Sequence, residues 1–297
     1  MAILLDRETR AVIHGIQGKY SRAQLGMMLK AGTRIVAGIS VGGAGGDVDG
    51  IPVFDDMTAA AAATRANTAL LYVPASGLLH AIRESVDAGM RLVIAAAENA
   101  PVQDAMDAAA YARSKGTWLV GPNSLGMVIP GFGMLGSYSL DFAQAGPVGL
   151  ISRSGSISVS ASRLLAQAGL GHSACIHIGG DYICGRNPHE YLEAFEQDPA
   201  TRVTVYCGEV GGTKEYEMAR CLGHLSKPLV AMIVGRAAQP EKKLGHAGAL
   251  VLSERDTAEA KRRALRAAGA HVADSLPHLV QLCRDLLEPA GRGARVA

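Results

Sequence analysis

The sequence predicts an α/β protein with two successive domains, each an open and mainly parallel sheet covered by helices. Short apolar runs alternate with helical patterns along most of the chain, which is typical of parallel sheets with helices on both faces. Hydrophobic residues make up 48% of the sequence and aromatic residues only 4%, with 36 glycines, a composition that suits buried parallel strands. A chain of 297 residues is long enough for two domains. We place them at residues 1–130 and 131–297.

In the first domain, strands and helices are predicted in regular alternation. The strands are Ala11–His14, Arg34–Ile39, Thr68–Val73, Arg91–Ala95 and Thr117–Val120. The helices between them are Arg22–Lys30, Met57–Arg65, Leu78–Ala88 and Val102–Ser114. A turn at Gly121-Pro122-Asn123 follows the last strand.

The second domain repeats this organisation. Strands are predicted at Val148–Ile151, Ala174–Ile178, Val203–Cys207, Leu229–Ile233 and His271–Ala273. Helices are predicted at Ser156–Ala168, His189–Gln197, Lys214–Leu225, Thr257–Ala267 and Leu276–Leu287. Residues Gly131 to Gly146 show little periodicity, so we expect them to link the two domains.

Composition and charge argue against several classes of protein. A net charge of +2 gives no reason to expect a nucleic-acid partner, and no apolar run is long enough to cross a bilayer. The first residues lack the basic leader and apolar core of a secretory signal, so we expect a cytoplasmic protein. The five cysteines form no close CxxC pair, which favours reduced thiols over a disulfide framework or a zinc site. No metal is expected to bind to this chain.

Three segments of the first domain follow predicted strands, where open α/β sheets bind ligands. The turn from Gly15 to Ser21 opens a helix and is either a phosphate cradle or an ordinary tight turn. The glycines of Gly42–Gly46 permit a ligand to approach the backbone, although a flexible loop is the simpler interpretation. Glu98 is either a ligand contact or an exposed loop carboxylate.

A stronger signal is the Ser-Arg-Ser-Gly-Ser turn at 152–156, which follows a strand and opens a helix. The hydroxyls of Ser154 and Ser156 can join the free backbone N–H groups, including that of Gly155, in holding a phosphate. The alternative is a plain serine N-cap.

His246 is the candidate nucleophile because small neighbours, in Gly-His-Ala-Gly-Ala at 245–249, leave its ring approachable. Glu209, at the predicted end of a strand, can bond one ring nitrogen, fix the tautomer and leave the other nitrogen nucleophilic. Together with the phosphate turn, these residues predict a histidine that carries a phosphoryl group. A histidine between glycines is otherwise usually only a loop residue.

At these residues the chain resembles the alpha subunit of succinyl-CoA synthetase, also called succinate–CoA ligase. The similarity runs in order along nearly the whole chain. Its blocks are Gly15-x-x-Gly18, Gly50-Ile51-Pro52-Val53-Phe54, Gly121-Pro122-Asn123, Val148-Gly149-Leu150-Ile151-Ser152-Arg153-Ser154-Gly155, Ile178-Gly179-Gly180-Asp181, Gly208-Glu209-Val210-Gly211-Gly212 and Gly245-His246-Ala247-Gly248-Ala249.

The resemblance implies a Rossmann-like CoA-binding domain followed by a flavodoxin-like ligase domain. It implies that His246 is phosphorylated, that the phosphohistidine gives its phosphoryl group to a carboxylate, and that CoA attacks the acyl phosphate. Glu209 would hold His246, and Ser154, Gly155 and Ser156 would bind phosphate. CoA is expected to contact Gln17, Gly18, Lys19, Tyr20, Gly43, Ala96, Ala97 and Glu98. The acid is expected near Asn123, Ser124, Leu125 and Val159. An ATP-grasp beta subunit would carry ATP or GTP with Mg²⁺, in an αβ or α2β2 complex. The resemblance also implies a role in the tricarboxylic acid cycle.

The chain departs from the family at both the CoA and the acid positions. Gly43 stands where the family has a lysine that meets a CoA phosphate, and the loss of one exposed cation contact costs about 1 kcal/mol. Val159 replaces a tyrosine associated with the acid, and Ser124-Leu125 replaces Cys-Pro. The lost hydroxyl and the added isobutyl group predict an acid other than succinate.

Two other functions stay open on the sequence. The departure at Gly43 is also compatible with a non-catalytic regulatory protein that binds CoA or acyl-CoA on the same scaffold. An NAD-dependent dehydrogenase is disfavoured, because Ser40 follows the second strand where an acidic residue would hold the ribose.

Overall fold

The computed structural model describes residues 4–43, 45–238 and 245–288 and confirms the predicted α/β class. Within these ranges the strands form two seven-stranded sheets. The first sheet contains β1 (Ala11–His14), β2 (Ile35–Ile39), β3 (Asp47–Val48), β4 (Ile51–Phe54), β5 (Thr68–Leu71), β6 (Leu92–Ala95) and β7 (Trp118–Val120). Its helices are α1 (Lys19–Lys30), α2 (Met57–Thr64), α3 (Leu78–Asp87) and α4 (Val102–Ser114).

The strand order of the first sheet is β3-β4-β2-β1-β5-β6-β7, and every pair is parallel except β3 with β4. Strands β3 and β4 were not predicted, because a two-residue strand and a four-residue strand that contains Pro52 give no clear period-2 pattern. The parallel arrangement brings the turns that follow β1, β2 and β6 to one edge of the sheet, where the candidate ligand-binding residues lie.

Side-chain alternation in β1 explains how the first sheet joins the rest of the molecule. Val12 packs into an apolar cluster on one face, whereas Ile13 packs into a second cluster on the other face. The second cluster continues through Met127 and Leu150 into the second sheet. The two sheets therefore share one continuous hydrophobic core.

The second sheet contains β8 (Gly126–Ile129), β9 (Gly133–Gly136), β10 (Ala145–Ser152), β11 (His172–His177), β12 (Val203–Glu209), β13 (Leu229–Val234) and β14 (His271–Val272). Its helices are α5 (Gly155–Gln167), α6 (Pro188–Gln197), α7 (Lys214–Cys221), α8 (Ala258–Ala267) and α9 (Leu276–Leu287). The order is β14-β13-β12-β10-β11-β8-β9, with β8 and β9 as an antiparallel edge.

The predicted linker at Gly131–Gly146 is wrong. It holds β9, a short 3-10 helix at Leu140–Phe142 and the first residues of β10. Glycines at both ends of β9 hide the alternation that would have predicted a strand. Because the second sheet already begins at Gly126, the boundary that we placed at residue 130 falls inside the β8–β9 hairpin.

The edge hairpin also fastens the first sheet's α1 to the second unit. The Thr33 hydroxyl donates to the Met134 carbonyl at 2.6 Å and accepts from the Met134 N–H at 2.9 Å. Near the start of α1, the Tyr20 hydroxyl donates to Ser137 at 2.9 Å. These contacts close one side of a cleft between the units. No helix within the described residues is long and apolar enough to cross a membrane.

Candidate functional site

The structure brings His246 and Glu209 into direct contact, as the sequence predicts. Glu209 is the last residue of β12, and its Oε2 lies 2.7 Å from His246 Nδ1. This carboxylate raises the pKa of His246, against the opposing effect of partial burial. With Nδ1–H donating to Glu209, Nε2 keeps the lone pair. The ring is thus oriented for nucleophilic attack through Nε2.

Glycines let the neighbouring backbone lie against the histidine. A Cβ atom at Gly180 would lie 2.8 Å from His246 Cγ, and a Cβ at Gly248 would lie 2.6 Å from Arg153 Nη2. Both distances are shorter than carbon atoms and guanidinium groups tolerate. The small residues around His246 are therefore required for packing as well as for access to the ring.

Arg153 is a site residue that the sequence analysis did not single out. Its guanidinium is almost fully buried, 3.3 Å from Glu209 Oε1, and donates to the Asp181 carbonyl at 3.2 Å. Burial opposes the charge, but the Glu209 carboxylate raises the pKa of Arg153 overall. The available signal was its place between Ser152 and Ser154, directly after a strand on the ligand side of the sheet.

Asp181 supplies a second buried carboxylate beside the histidine. Asn123 Nδ2 donates to its Oδ1 at 2.9 Å, while Oδ2 is buried without a hydrogen-bond partner. Burial raises the pKa of Asp181. This raised pKa and the partnerless oxygen mark Asp181 as part of the site.

The Ser154–Ser156 turn leaves the start of α5 open to an anion. Ser154 occupies the N-cap position, but its side chain makes no capping hydrogen bond. Its hydroxyl lies instead 3.3 Å from that of Ser156. The first N–H groups of the helix, including that of Gly155, thus lack the serine cap that was the alternative prediction. The geometry suits a bound phosphate.

His177 joins this turn to the neighbouring cleft. Burial lowers its pKa to about 4, so the ring is neutral at pH 7. The Leu125 N–H donates to Nδ1 at 2.8 Å, which leaves the proton on Nε2, 3.1 Å from the Arg153 carbonyl. One neutral histidine therefore fixes both the backbone of the phosphate turn and that of the cleft wall.

A cavity of about 420 Å³ lies in the cleft between the two units. It is lined by Tyr20, Tyr72, Val73, Ala96, Ala97, Glu98, Asn123, Ser124, Leu125 and Ser137. The predicted CoA residues Tyr20, Ala96, Ala97 and Glu98 and the predicted acid residues Asn123, Ser124 and Leu125 are thus brought together. The Ser124 hydroxyl is already engaged with the His177 carbonyl, so Ser124 contributes chiefly its backbone and shape.

The other predicted ligand residues do not line this cavity. Gln17 and Gly43 lie close to each other, since Ser40 donates to Gln17 Oε1 at 2.9 Å and a Cβ at Gly43 would lie 3.0 Å from Gln17 Nε2. Gly18 is the N-cap of α1 and Lys19, its first residue, is exposed. Val159 lies one turn into α5 and packs against the hydrophobic core.

Among the described residues, no group of three or more His, Cys, Asp or Glu side chains is arranged to hold a metal ion. What the site does offer is a buried Arg153–Glu209 pair in contact with the partly exposed His246, next to an open helix N-terminus. This combination can orient a nucleophilic imidazole and offset the charge of a phosphoryl group.

Known proteins resemble the chain over nearly its whole length. Residues 6–99 match the family model described as a CoA binding domain, and residues 151–271 match the model described as CoA-ligase. The alpha 1 subunit of ADP-forming succinate–CoA ligase from Archaeoglobus fulgidus is 40% identical over 288 residues, covering 97% of this chain and 99% of the relative. The corresponding alpha subunit from Aquifex aeolicus is 38% identical over 278 residues, covering 93% of this chain and 91% of the relative.

A solved structure agrees with this relationship. ATP citrate lyase from Methanothrix soehngenii, in complex with citrate and coenzyme A, superposes with a TM-score of 0.89 at 27% identity. The match covers 96% of this chain but only 50% of the lyase chain, so this chain spans about half of that protein. Taken with the full-length similarity to the two ligase subunits, it follows that the chain belongs to the succinate–CoA ligase alpha-subunit family, a family of acid–CoA ligases.

Proposed function

We propose that this chain is the alpha subunit of an acid–CoA ligase that works through a phosphohistidine at His246. The observation that carries the proposal is the 2.7 Å contact between His246 Nδ1 and Glu209, which leaves Nε2 as the nucleophile. The same geometry would have no evident use in a protein that only binds CoA.

The reaction divides into three transfers. Nε2 of His246 attacks the terminal phosphorus of a nucleoside triphosphate, so that a P–N bond forms and the diphosphate leaves with the bridging oxygen. A substrate carboxylate then attacks that phosphorus, the P–N bond breaks, and an acyl phosphate forms. Finally the CoA thiolate attacks the acyl carbon and inorganic phosphate leaves, which yields the thioester.

Buried charges of this chain support these transfers. Arg153 offsets part of the negative charge of Glu209, and the open start of α5 would hold the transferred phosphate. Asp181 lies beside the histidine, where burial and then the charge of Glu98 raise its pKa, so added negative charge is disfavoured in this region. Arg153 and the N-terminus of α5 would therefore be needed to offset the negative charge of a phosphoryl group at this position.

The acid substrate is expected to differ from succinate. Leu125 lines the cavity, and its Cδ1 lies only 2.7 Å from where a Cβ of Gly155 would stand, so its isobutyl group packs beside the Cα of Gly155. Glu98 contributes a carboxylate to the same cavity. Both features disfavour a second carboxylate on the acid. Val159 was predicted to act in the same way, but its side chain packs against the core.

CoA is expected in the cleft between the two units, along Tyr20, Ala96 and Ala97 and beside Gln17 and Gly43. A beta subunit of the ATP-grasp type would bring ATP or GTP with Mg²⁺ to His246, in an αβ or α2β2 complex in the cytoplasm. The relatives are named as alpha subunits, which supports such a partner.

The test is phosphorylation of the complex of this chain with its beta subunit, using γ-labelled ATP or GTP, beside the His246→Ala variant. Acid-labile label on this chain that the variant lacks is the expected result. If a folded and complete complex takes up no label, the non-catalytic CoA-binding protein becomes the better interpretation. A panel of carboxylic acids then tests specificity, and succinate as clearly the best acid would refute the altered preference.

A further inference from the structure

Lys261 is a buried cation that the proposed chemistry does not use. It lies in α8, its side chain is fully buried, and its Nζ is 2.6 Å from Oε2 of the equally buried Glu215 in α7. Burial lowers the pKa of Lys261 while Glu215 opposes that effect. Since burying an ion pair costs desolvation and gains little stability, the pair calls for another explanation.

The remaining contacts of the ammonium group all lead to the end of β12. Lys261 Nζ donates to the Glu209 carbonyl at 2.9 Å and to the Gly211 carbonyl at 2.5 Å. Glu215 is held in turn by the Tyr206 hydroxyl, which donates to its Oε1 at 2.8 Å. The ammonium group thus donates to two carbonyls and forms an ion pair with the Glu215 carboxylate.

Each of these two carbonyls belongs to a residue that contacts His246 or the histidine loop, which we define as residues 245–249. Glu209 carries the carboxylate that bonds His246. Gly211 has a positive φ of 85° and lies so close to the histidine loop that a Cβ would stand 2.2 Å from the Gly248 carbonyl oxygen. Lys261 therefore holds the backbone of Glu209, which bonds the histidine, and the backbone of Gly211, which packs against the histidine loop.

We propose that Lys261, held by Glu215, is a positioning residue that sets the contact between Glu209 and His246. It touches no reacting atom and acts through the backbone of the turn after β12. The functional part of this inference rests on the proposed phosphohistidine, whereas the positioning part concerns the geometry of His246 alone.

The protonation of His246 reports this geometry. Four ionisable groups influence the ring: Glu209 from β12, Arg153 from the turn before α5, Asp181 from the turn after β11, and His177 from β11. Glu209 is the first of these, and it raises the pKa of His246. If the carboxylate moves away, the pKa falls back toward the ordinary value of about 6.5.

The experiment uses the charge-neutral double variant K261M/E215Q, which leaves no unpaired buried charge. Titration of the His246 ring by NMR in the full chain should show a lower pKa than in the wild type. In the complex with the beta subunit, phosphorylation of His246 should slow about tenfold or more, while KM for CoA stays unchanged. A folded double variant with the wild-type His246 pKa and phosphorylation rate overturns the proposal.

A second variant serves if the first does not fold. Y206F removes only the hydroxyl that holds Glu215, and it should lower the His246 pKa and the phosphorylation rate in the same direction but less. A folded Y206F with wild-type values for both overturns the proposal. The matched control is R262M, which removes a buried cation of the same helix whose partners are Glu259, Ala273 and Asp274, and it should change neither value. Two results together would reject the ligase but retain the positioning role. These are a lowered His246 pKa in the double variant and no label on the wild-type complex.

Discussion

Gly180→Ala is the sharpest test of the histidine's packing. The added Cβ would lie 2.8 Å from His246 Cγ and 3.0 Å from Nδ1, whereas carbon atoms need about 3.5 Å. The ring or the Gly180 backbone must therefore yield by about 0.7 Å, on the side where Nδ1 bonds Glu209. A displacement of this size costs about tenfold to a hundredfold in the rate of a reaction that depends on positioning.

The assay is the single-turnover rate of His246 phosphorylation in the complex with the beta subunit, beside the KM for CoA. We expect the rate to fall and the KM to stay unchanged, since the CoA cleft is lined by other residues. Gly26→Ala is the matched control: Gly26 lies in α1 with no atom within contact of a new Cβ, so the change should stabilise the protein by about 0.5 kcal/mol without affecting the rate. A Gly180→Ala protein with the wild-type rate would refute the packing that we describe.

Three further changes test other parts of the structure. Glu209→Gln should leave Arg153 buried without its ion pair and lower the free energy of unfolding by about 3 kcal/mol, as chemical denaturation would measure. It should also move the acid limb of phosphorylation to lower pH, because Nε2 must be unprotonated and the carboxylate raises the pKa of His246; an unmoved limb would contradict the assigned contact. Leu125→Ala should improve kcat/KM for bulkier acids about tenfold in the acid panel, and an unchanged ranking would place the acid elsewhere. Despite the opposing effect of burial, Arg113 and Arg186 hold the pKa of Glu190 at about 2, so Glu190→Gln should cost about 2 kcal/mol at pH 7 after allowance for the half-exposed Arg113. Because a depressed pKa stabilises the fold only above it, that cost should disappear between about pH 4.5 and pH 2, and a cost that persists at pH 2 would argue against the ion pair.

His246 and Glu209 could be singled out because their sequence signals are local. His246 stands among small residues, and Glu209 follows a short apolar run that predicts a buried strand. The rule that parallel strands present their carboxyl ends at one edge then brings them to the same region. The 2.7 Å contact itself was not predictable, since no periodic pattern in the sequence around His246 indicates where its ring lies.

The shape of the cleft could not be predicted, because the elements at its margins have only weak secondary-structure patterns in the sequence. The β8–β9 hairpin supplies Leu125 and Ser137 at its margins, yet its glycines gave no alternation and the region was taken for a linker. Val159 does not line the cavity and packs against the hydrophobic core, which its position near the start of α5 could not reveal. Expectations based on the strand ends thus needed only local signals, whereas the path of the irregular edge could not be derived from the sequence.

Lys261 could be inferred only in part from the sequence. The pattern of α8 indicates that the residue is unusual, but it does not indicate the partners of the side chain. Its buried residues are Ala258, Lys261, Arg262 and Leu265, which is the i, i+3, i+4, i+7 spacing of a core-facing helix stripe. Two cations in that stripe conflict with the apolar pattern, and a charge is kept in a core only where partners compensate it. The conflict itself marks residues whose partners lie on other elements. For Lys261 those partners include the backbone of Glu209, so the irregular position in the stripe leads to the same carboxylate as the histidine motif does.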